Sequence, residues 1–173
     1  MLAYLFWHWP APGVRGTRYK EALLAFHRAL LAEPCPGLCG SRVFAVGAAT
    51  FLPVPSAFED WYFVDDFAAL GALNEAAVSG ARREFHRAVA EQAGGGTGGL
   101  YRRLAEGPPP ASEVSWLAKP AGLGYPEFLS RLPASSELWQ RQLVLGPAPE
   151  FCLCAAKPAG LDGLAPSVRR LYP

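Results

Sequence analysis

The hexapeptide Ala-Lys-Pro-Ala-Gly-Leu occurs twice in this chain, at Ala118–Leu123 and at Ala156–Leu161. A repeat of this kind constrains the fold because each copy stands at the same kind of junction. Each ends a short apolar run, Trp116-Leu117 in the first case and Phe151-Cys-Leu-Cys154 in the second. In each copy the Pro-Ala-Gly core stops an extended segment. Each is followed by a stretch with helix-like spacing, Tyr125–Leu132 and Leu164–Leu171. The pattern predicts one strand–turn–helix unit used twice. A second echo supports duplication: Trp7 and Gly13 have the same separation as Trp116 and Gly122, at the same place in each half.

The other segments fit this scheme. Residues 3–9 are apolar and aromatic and are ended by Pro10, Pro12 and Gly13, as suits a central strand. A helix is predicted from a Thr17 cap to about Ala32, with Tyr19, Leu23, Phe26 and Leu30 on one face. Strands are predicted at about Ser41–Thr50 and at Ala57–Val64. Asp65 or Asp66 caps a helix that turns Phe67, Leu70, Leu73 and Ala77 inward. A further helix is predicted over Ala81–Gln92. Gly94–Gly99 reads as a flexible connection, a lid over a pocket being the functional alternative, and Leu100–Ala105 as one helical turn. Gly107-Pro-Pro-Pro110 reads as a linker. Beyond it, strands are predicted at Ser112–Lys119, Glu137–Leu145 and Glu150–Lys157, with helices at Tyr125–Leu132 and Leu164–Leu171. Both halves, 1–107 and 112–173, then read β-α-β-β-α and share one core.

That order is the ferredoxin-like split unit, whose bare sheet face must be covered. An α+β fold follows: two ferredoxin-like repeats forming an intramolecular α/β barrel or two face-to-face sheets. With Glu59-Asp-Trp-Tyr-Phe-Val-Asp65 leading into a Leu/Ala helix and Leu138-Trp-Gln-Arg-Gln-Leu-Val-Leu-Gly146 in the second half, the chain resembles the dimeric α/β-barrel superfamily in its fused form. That grouping includes EthD-like proteins, antibiotic-biosynthesis monooxygenases and haem-binding relatives. The resemblance implies a cavity but no particular activity. In the haem-binding relatives a histidine on a helix of the C-terminal repeat holds the iron. This C-terminal half has no histidine, so no haem and no other cofactor is expected.

The formal charge of +1 on 173 residues gives no reason to expect nucleic acid or an anionic membrane. No apolar run reaches the length of a membrane span. The first residues lack the basic segment and cleavage site of a secretion signal. Cytoplasmic location follows as the expectation, as a monomer or homodimer. The 4 cysteines are too few for a disulfide scaffold in a chain of this length. Cys35 and Cys39 in a loop, with Cys152 and Cys154 alternating on a strand, make a poor zinc knuckle, so no metal is expected.

Few residues stand out as chemical. His8, between two tryptophans, shares a strand face with Tyr4 and Phe6 and is the candidate acid or base. The structural alternative is a strand-end histidine bonded to backbone or water. Trp61 is the candidate wall of a ligand cavity, with core packing as its alternative. Trp139 and Arg141 share a strand face, where Arg141 is either a clamp for an anionic ligand or the partner of Glu150. His27 and His86 suit ordinary helix positions. Two functions from different classes remain: a small-molecule-binding or cofactor-independent enzyme with a pocket near His8, Trp61 and Arg141, and a non-catalytic scaffold or ligand sensor with a packed interior.

Overall fold

A computed structural model describes residues 1–109 and 113–173. The elements are β1 (Leu2–Pro10), α1 (Gly16–Ala32), β2 (Leu38–Val46), β3 (Ala57–Val64), α2 (Phe67–Ala77), α3 (Arg82–Ala90), β4 (Ala93–Ala105), β5 (Ser115–Leu117), α4 (Tyr125–Ser130), β6 (Leu138–Arg141), β7 (Phe151–Leu153), β8 (Gly163–Leu164) and β9 (Val168–Tyr172). The fold is α+β. Among the described residues all strand pairs are antiparallel, in one nine-stranded sheet of order β8-β5-β7-β6-β4-β1-β3-β2-β9. The order β4-β1-β3-β2 recurs in relative terms as β8-β5-β7-β6.

Alternation along β1 sets the layers. Ala3, Leu5 and Trp7 enter one core cluster, together with Phe44, Trp61, Tyr101, Trp116, Trp139 and Cys152. Tyr4 and Phe6 pack on the opposite face, against Phe26 and Leu30 of α1 and Leu73 of α2. A third cluster packs Phe128 of α4 on Leu117, Leu138 and Phe151. The first cluster draws on both halves, which requires the sheet to curl. Trp7 on β1 and Trp116 on β5 are four positions apart in the strand order, roughly 19 Å in a flat sheet. Their ring centroids are 5.4 Å apart. Trp61 and Trp139, on β3 and β6, meet edge to face at 5.6 Å. Arg42 on β2 likewise reaches Glu137, beside β6, at 2.8 Å.

The expected closed barrel, or pair of separate facing sheets, is not what forms. The strands make one sheet that is not closed into a barrel. Its two edges, β8 and β9, are successive pieces of one extended stretch. The first piece pairs with β5 and the second with β2, with Pro166 between them. Proline has no N–H to continue a ladder.

Both hexapeptide copies form the same turn. Gly122 and Gly160 take φ of 79° and 75°, a left-handed conformation that suits glycine. Lys119 Nζ donates to the Leu123 carbonyl at 2.6 Å and Lys157 Nζ to the Leu161 carbonyl at 2.8 Å. Gly13, the counterpart after β1, has φ of 87°.

Several element assignments need correction. The first copy leads into a helix, α4, but the second leads into β8 and β9. Leu164, Val168 and Leu171 have helical spacing, yet the open edge of β2 takes up this segment as its partner. The predicted loop and helical turn over Gly94–Ala105 are one long strand, β4. The glycines suit it because aromatic rings of β1 occupy the space their side chains would need. A Cβ on Gly96 would stand 2.5 Å from the Phe6 ring, and one on Gly98 would stand 2.7 Å from the Tyr4 hydroxyl. The α1 cap is Arg15 rather than Thr17, and Phe67 is exposed. Asp66 does cap α2, accepting from the Ala69 N–H at 2.9 Å. Pro110 and the start of the predicted strand at Ser112 lie outside the described residues.

Candidate functional site

A cavity of about 960 Å³ lies between the sheet and the helices α1, α2 and α3. Its origin is visible in the sequence of its walls. On the sheet side β4 lines it with Gly94, Gly95 and Gly96, the Trp9 and Phe6 rings standing where side chains at Gly95 and Gly96 would be. On the helix side Gly71 carries no side chain and Ala77 and Ala90 only a methyl group each. The helices are held at a distance from the sheet by a few contacts. α2 buries only Ala69 and Leu73. α3 is tied down by Arg82, whose guanidinium donates to the Leu30, Glu33 and Pro34 carbonyls at the C-terminal end of α1. Tyr4, Phe6 and Tyr62 supply aromatic surface from the sheet.

Beneath this surface is a buried polar network. His8 Nδ1 and the Tyr19 hydroxyl are 2.6 Å apart. His8 Nε2 lies 3.0 Å from Asp60 Oδ2, and His27 Nε2 lies 3.2 Å from the same oxygen. The Tyr62 hydroxyl donates to Asp60 Oδ2 at 2.9 Å, and His27 Nδ1 contacts the Ser41 hydroxyl at 2.9 Å. A carboxylate so close to both Nε2 atoms favours the tautomers that carry hydrogen there. His8 Nε2 nevertheless sits off the line of a hydrogen bond, and Asp60 Oδ1 has no partner among the described residues. Both residues are 1% exposed and both line the cavity.

The electrostatics follow from this arrangement. Burial pushes the Asp60 carboxyl up, but the His8 and His27 imidazoles beside it outweigh this and hold the group below the ordinary aspartate value. Burial, then the charge of Asp60, raises Tyr19, Tyr62 and Tyr4, so all three remain protonated phenols near neutral pH. On the other face of β3, Glu59 is fully buried among the tryptophans. It accepts from Trp7 Nε1 at 2.5 Å and from Trp61 Nε1 at 2.6 Å. Burial raises its carboxyl to about 7, against the opposing effect of the two indole donors.

The candidate residues from the sequence fall on two different faces. His8 lies on the cavity side, with Tyr4 and Phe6, as its alternation requires. Trp61 and Trp139 lie in the aromatic core on the opposite face. Arg141 is half-buried, and its Nη1 donates to the Gly146 and Ala148 carbonyls at 3.0 and 2.6 Å. Glu150 is not its side-chain partner, because that carboxylate accepts from Tyr125 and Gln140 instead. The structure therefore does not bring His8, Trp61 and Arg141 together in one pocket. Cys152 and Cys154 are buried in the aromatic core, while Cys39 is exposed. Among the described residues no three His, Cys, Asp or Glu side chains are placed to hold a metal ion.

Sequence reasoning missed Asp60, Tyr19 and His27 as partners of His8. The available signal was an aspartate inside the apolar run Ala57–Val64, since a buried carboxylate needs compensation. Among the described residues no helix is long and apolar enough to cross a membrane. No family model matches the chain, and no curated protein matches it in sequence.

Proposed function

We propose that this protein binds a small, mainly apolar organic molecule in the cavity between the sheet and α1–α3, and that it acts as a ligand sensor or carrier. The observation that carries the reading is the cavity itself. Its volume of about 960 Å³ lies at the upper end of the range typical of small-molecule sites. Its lining is mainly apolar and aromatic, with Asp60 and His8 at its base. Exposed Phe67 on α2 and Val78 just beyond its end place apolar surface at its border. The recurring strand order and the paired hexapeptide turns favour descent from two fused ferredoxin-like units of the dimeric α/β-barrel kind. In this reading the opposite sheet face is core, sealed by tryptophans from both halves, and Trp61, Trp139 and Arg141 are structural.

A second reading, general-base catalysis by His8 oriented by Asp60, has one observation in its favour: among the described residues His8 Nε2 and Asp60 Oδ1 both lack hydrogen-bond partners. The near-complete burial of His8 weighs against it, because a catalytic base must reach its substrate.

Native mass spectrometry of the purified full-length chain tests the proposal. Gly71 lines the cavity, and a Cβ there meets nothing within 4 Å. Gly71→Trp therefore fills the space without a clash at the backbone, and it removes a helix-interior glycine. Wild type is expected to retain or take up apolar compounds that this variant does not. Equal uptake by both, or by neither, contradicts the reading. Recovery of a chemically altered compound from wild type but not from His8→Phe would favour catalysis.

A further inference from the structure

The lining of the cavity carries information about the charge of its ligand, an inference that rests on the binding proposal above. Among the described residues no lysine or arginine lines the cavity, although the chain contains 16 of them. The carboxylate beneath its sheet wall is Asp60, whose Oδ1 has no hydrogen-bond partner among the described residues. Buried carboxylates are normally fully paired. The Asp60 carboxylate is the negative charge of the cluster it forms with His8, His27, Tyr19 and Tyr62.

That charge is shielded from water but close to the cavity, and low-dielectric surroundings transmit its field effectively. Tyr4, Phe6 and Tyr62 add ring surfaces, which attract cations through their π faces. A carboxylate ligand would meet the Asp60 carboxylate, with no lysine or arginine among the described lining residues to receive it. We propose that the cavity takes a lipophilic amine: an organic cation with an apolar ring system whose ammonium group lies towards Asp60. The anion clamp expected at Arg141 plays no part, because that guanidinium belongs to β6 and is bound to backbone carbonyls.

Four probes sharing one skeleton test this on the full-length protein by isothermal titration calorimetry. They are para-phenylbenzylamine, para-phenylbenzyl alcohol, para-methylbiphenyl and para-phenylbenzoate, which differ in a single substituent. The amine is expected to bind at least about tenfold more tightly than the alcohol, in line with a desolvated cation–π contact. The benzoate is expected to be the weakest, and Gly71→Trp to abolish binding of all four. Asp60→Asn keeps the shape and removes the charge, so it should bring the amine and the alcohol to within about threefold of each other.

If the alcohol or the benzoate binds as tightly as the amine and Gly71→Trp still blocks it, the amine assignment is overturned and the cavity reading stands. If no probe binds in a way that Gly71→Trp prevents, both are overturned. Should Asp60→Asn fail to fold, the wild-type order of the four affinities decides by itself.

Discussion

Glu59 makes the folding stability of this protein depend on pH in the direction opposite to most buried carboxylates. It is fully buried on the tryptophan side of β3, and its two oxygens accept one indole N–H each. Those bonds favour the ionised form, but burial outweighs them and lifts the carboxyl from 4.5 to about 7. In acid the group is protonated in both the folded and the unfolded chain, and it costs nothing. As pH rises above 4.5 the unfolded chain ionises first, and folding loses stability until the folded group also ionises near 7. At about 1.4 kcal/mol per pH unit, this rise corresponds to about 3 kcal/mol lost between pH 4.5 and about 7. That is a large share of the roughly 5–15 kcal/mol that stabilises an ordinary domain.

Urea denaturation of wild type and Glu59→Gln at a series of pH values between about 4 and 8 measures the effect. Glutamine does not titrate, and its amide sets a donor against one of the two indoles. The variant is therefore expected to be less stable than wild type in acid and to lack the decline. The difference between the two curves isolates Glu59 from other groups. Asp60 in particular has a value lowered from 3.8, so its contribution is lost only in acid, as pH falls through its folded value. A difference that stays constant from pH 5 to 8, or in which wild type gains on the variant, would refute the argument.

Other expectations are local. Gly96→Val should destabilise by about 1–3 kcal/mol in urea denaturation, because its Cβ would stand 2.5 Å from the Phe6 ring, and it should weaken uptake of apolar probes. Leu143 has φ of 53° and an 84% exposed side chain, so Leu143→Gly should raise the thermal midpoint modestly, by relieving a strain of about 1 kcal/mol. Arg82→Met should detach α3 from the end of α1, seen as faster amide exchange in α3 than in α1.

What the sequence disclosed depended on whether its signals were local. The bounds of β3 and nearly all of α1 could be read because their periods of two and 3.6 persist over enough residues. Both hexapeptides announced a turn, and both form one. The strand character of Gly94–Ala105 was hidden, because glycine has no strand propensity of its own. It is the rings of Tyr4 and Phe6, ninety residues away, that make glycine fit there. The strand at Val168–Tyr172 was hidden for a related reason: its partner is the open edge of β2. At the candidate site, alternation placed His8 with Tyr4 and Phe6. It could not show that β1 and β3 lie side by side with Phe6 opposite Asp60. That register is what unites His8 with Asp60, and it depends on tertiary pairing.

The claim on which the rest depends is that the space between the sheet and α1–α3 is where this protein receives its ligand. Amide chemical-shift mapping during titration with para-phenylbenzylamine tests it most directly. Saturable shifts are predicted at Gly95 and Gly96 on β4, at Leu70 and Asn74 on α2, and at His86 on α3, all lining the cavity. Shifts confined to β6 and β7 on the tryptophan side, or no saturable shifts with any of the four biphenyl probes while the protein stays folded, would contradict it.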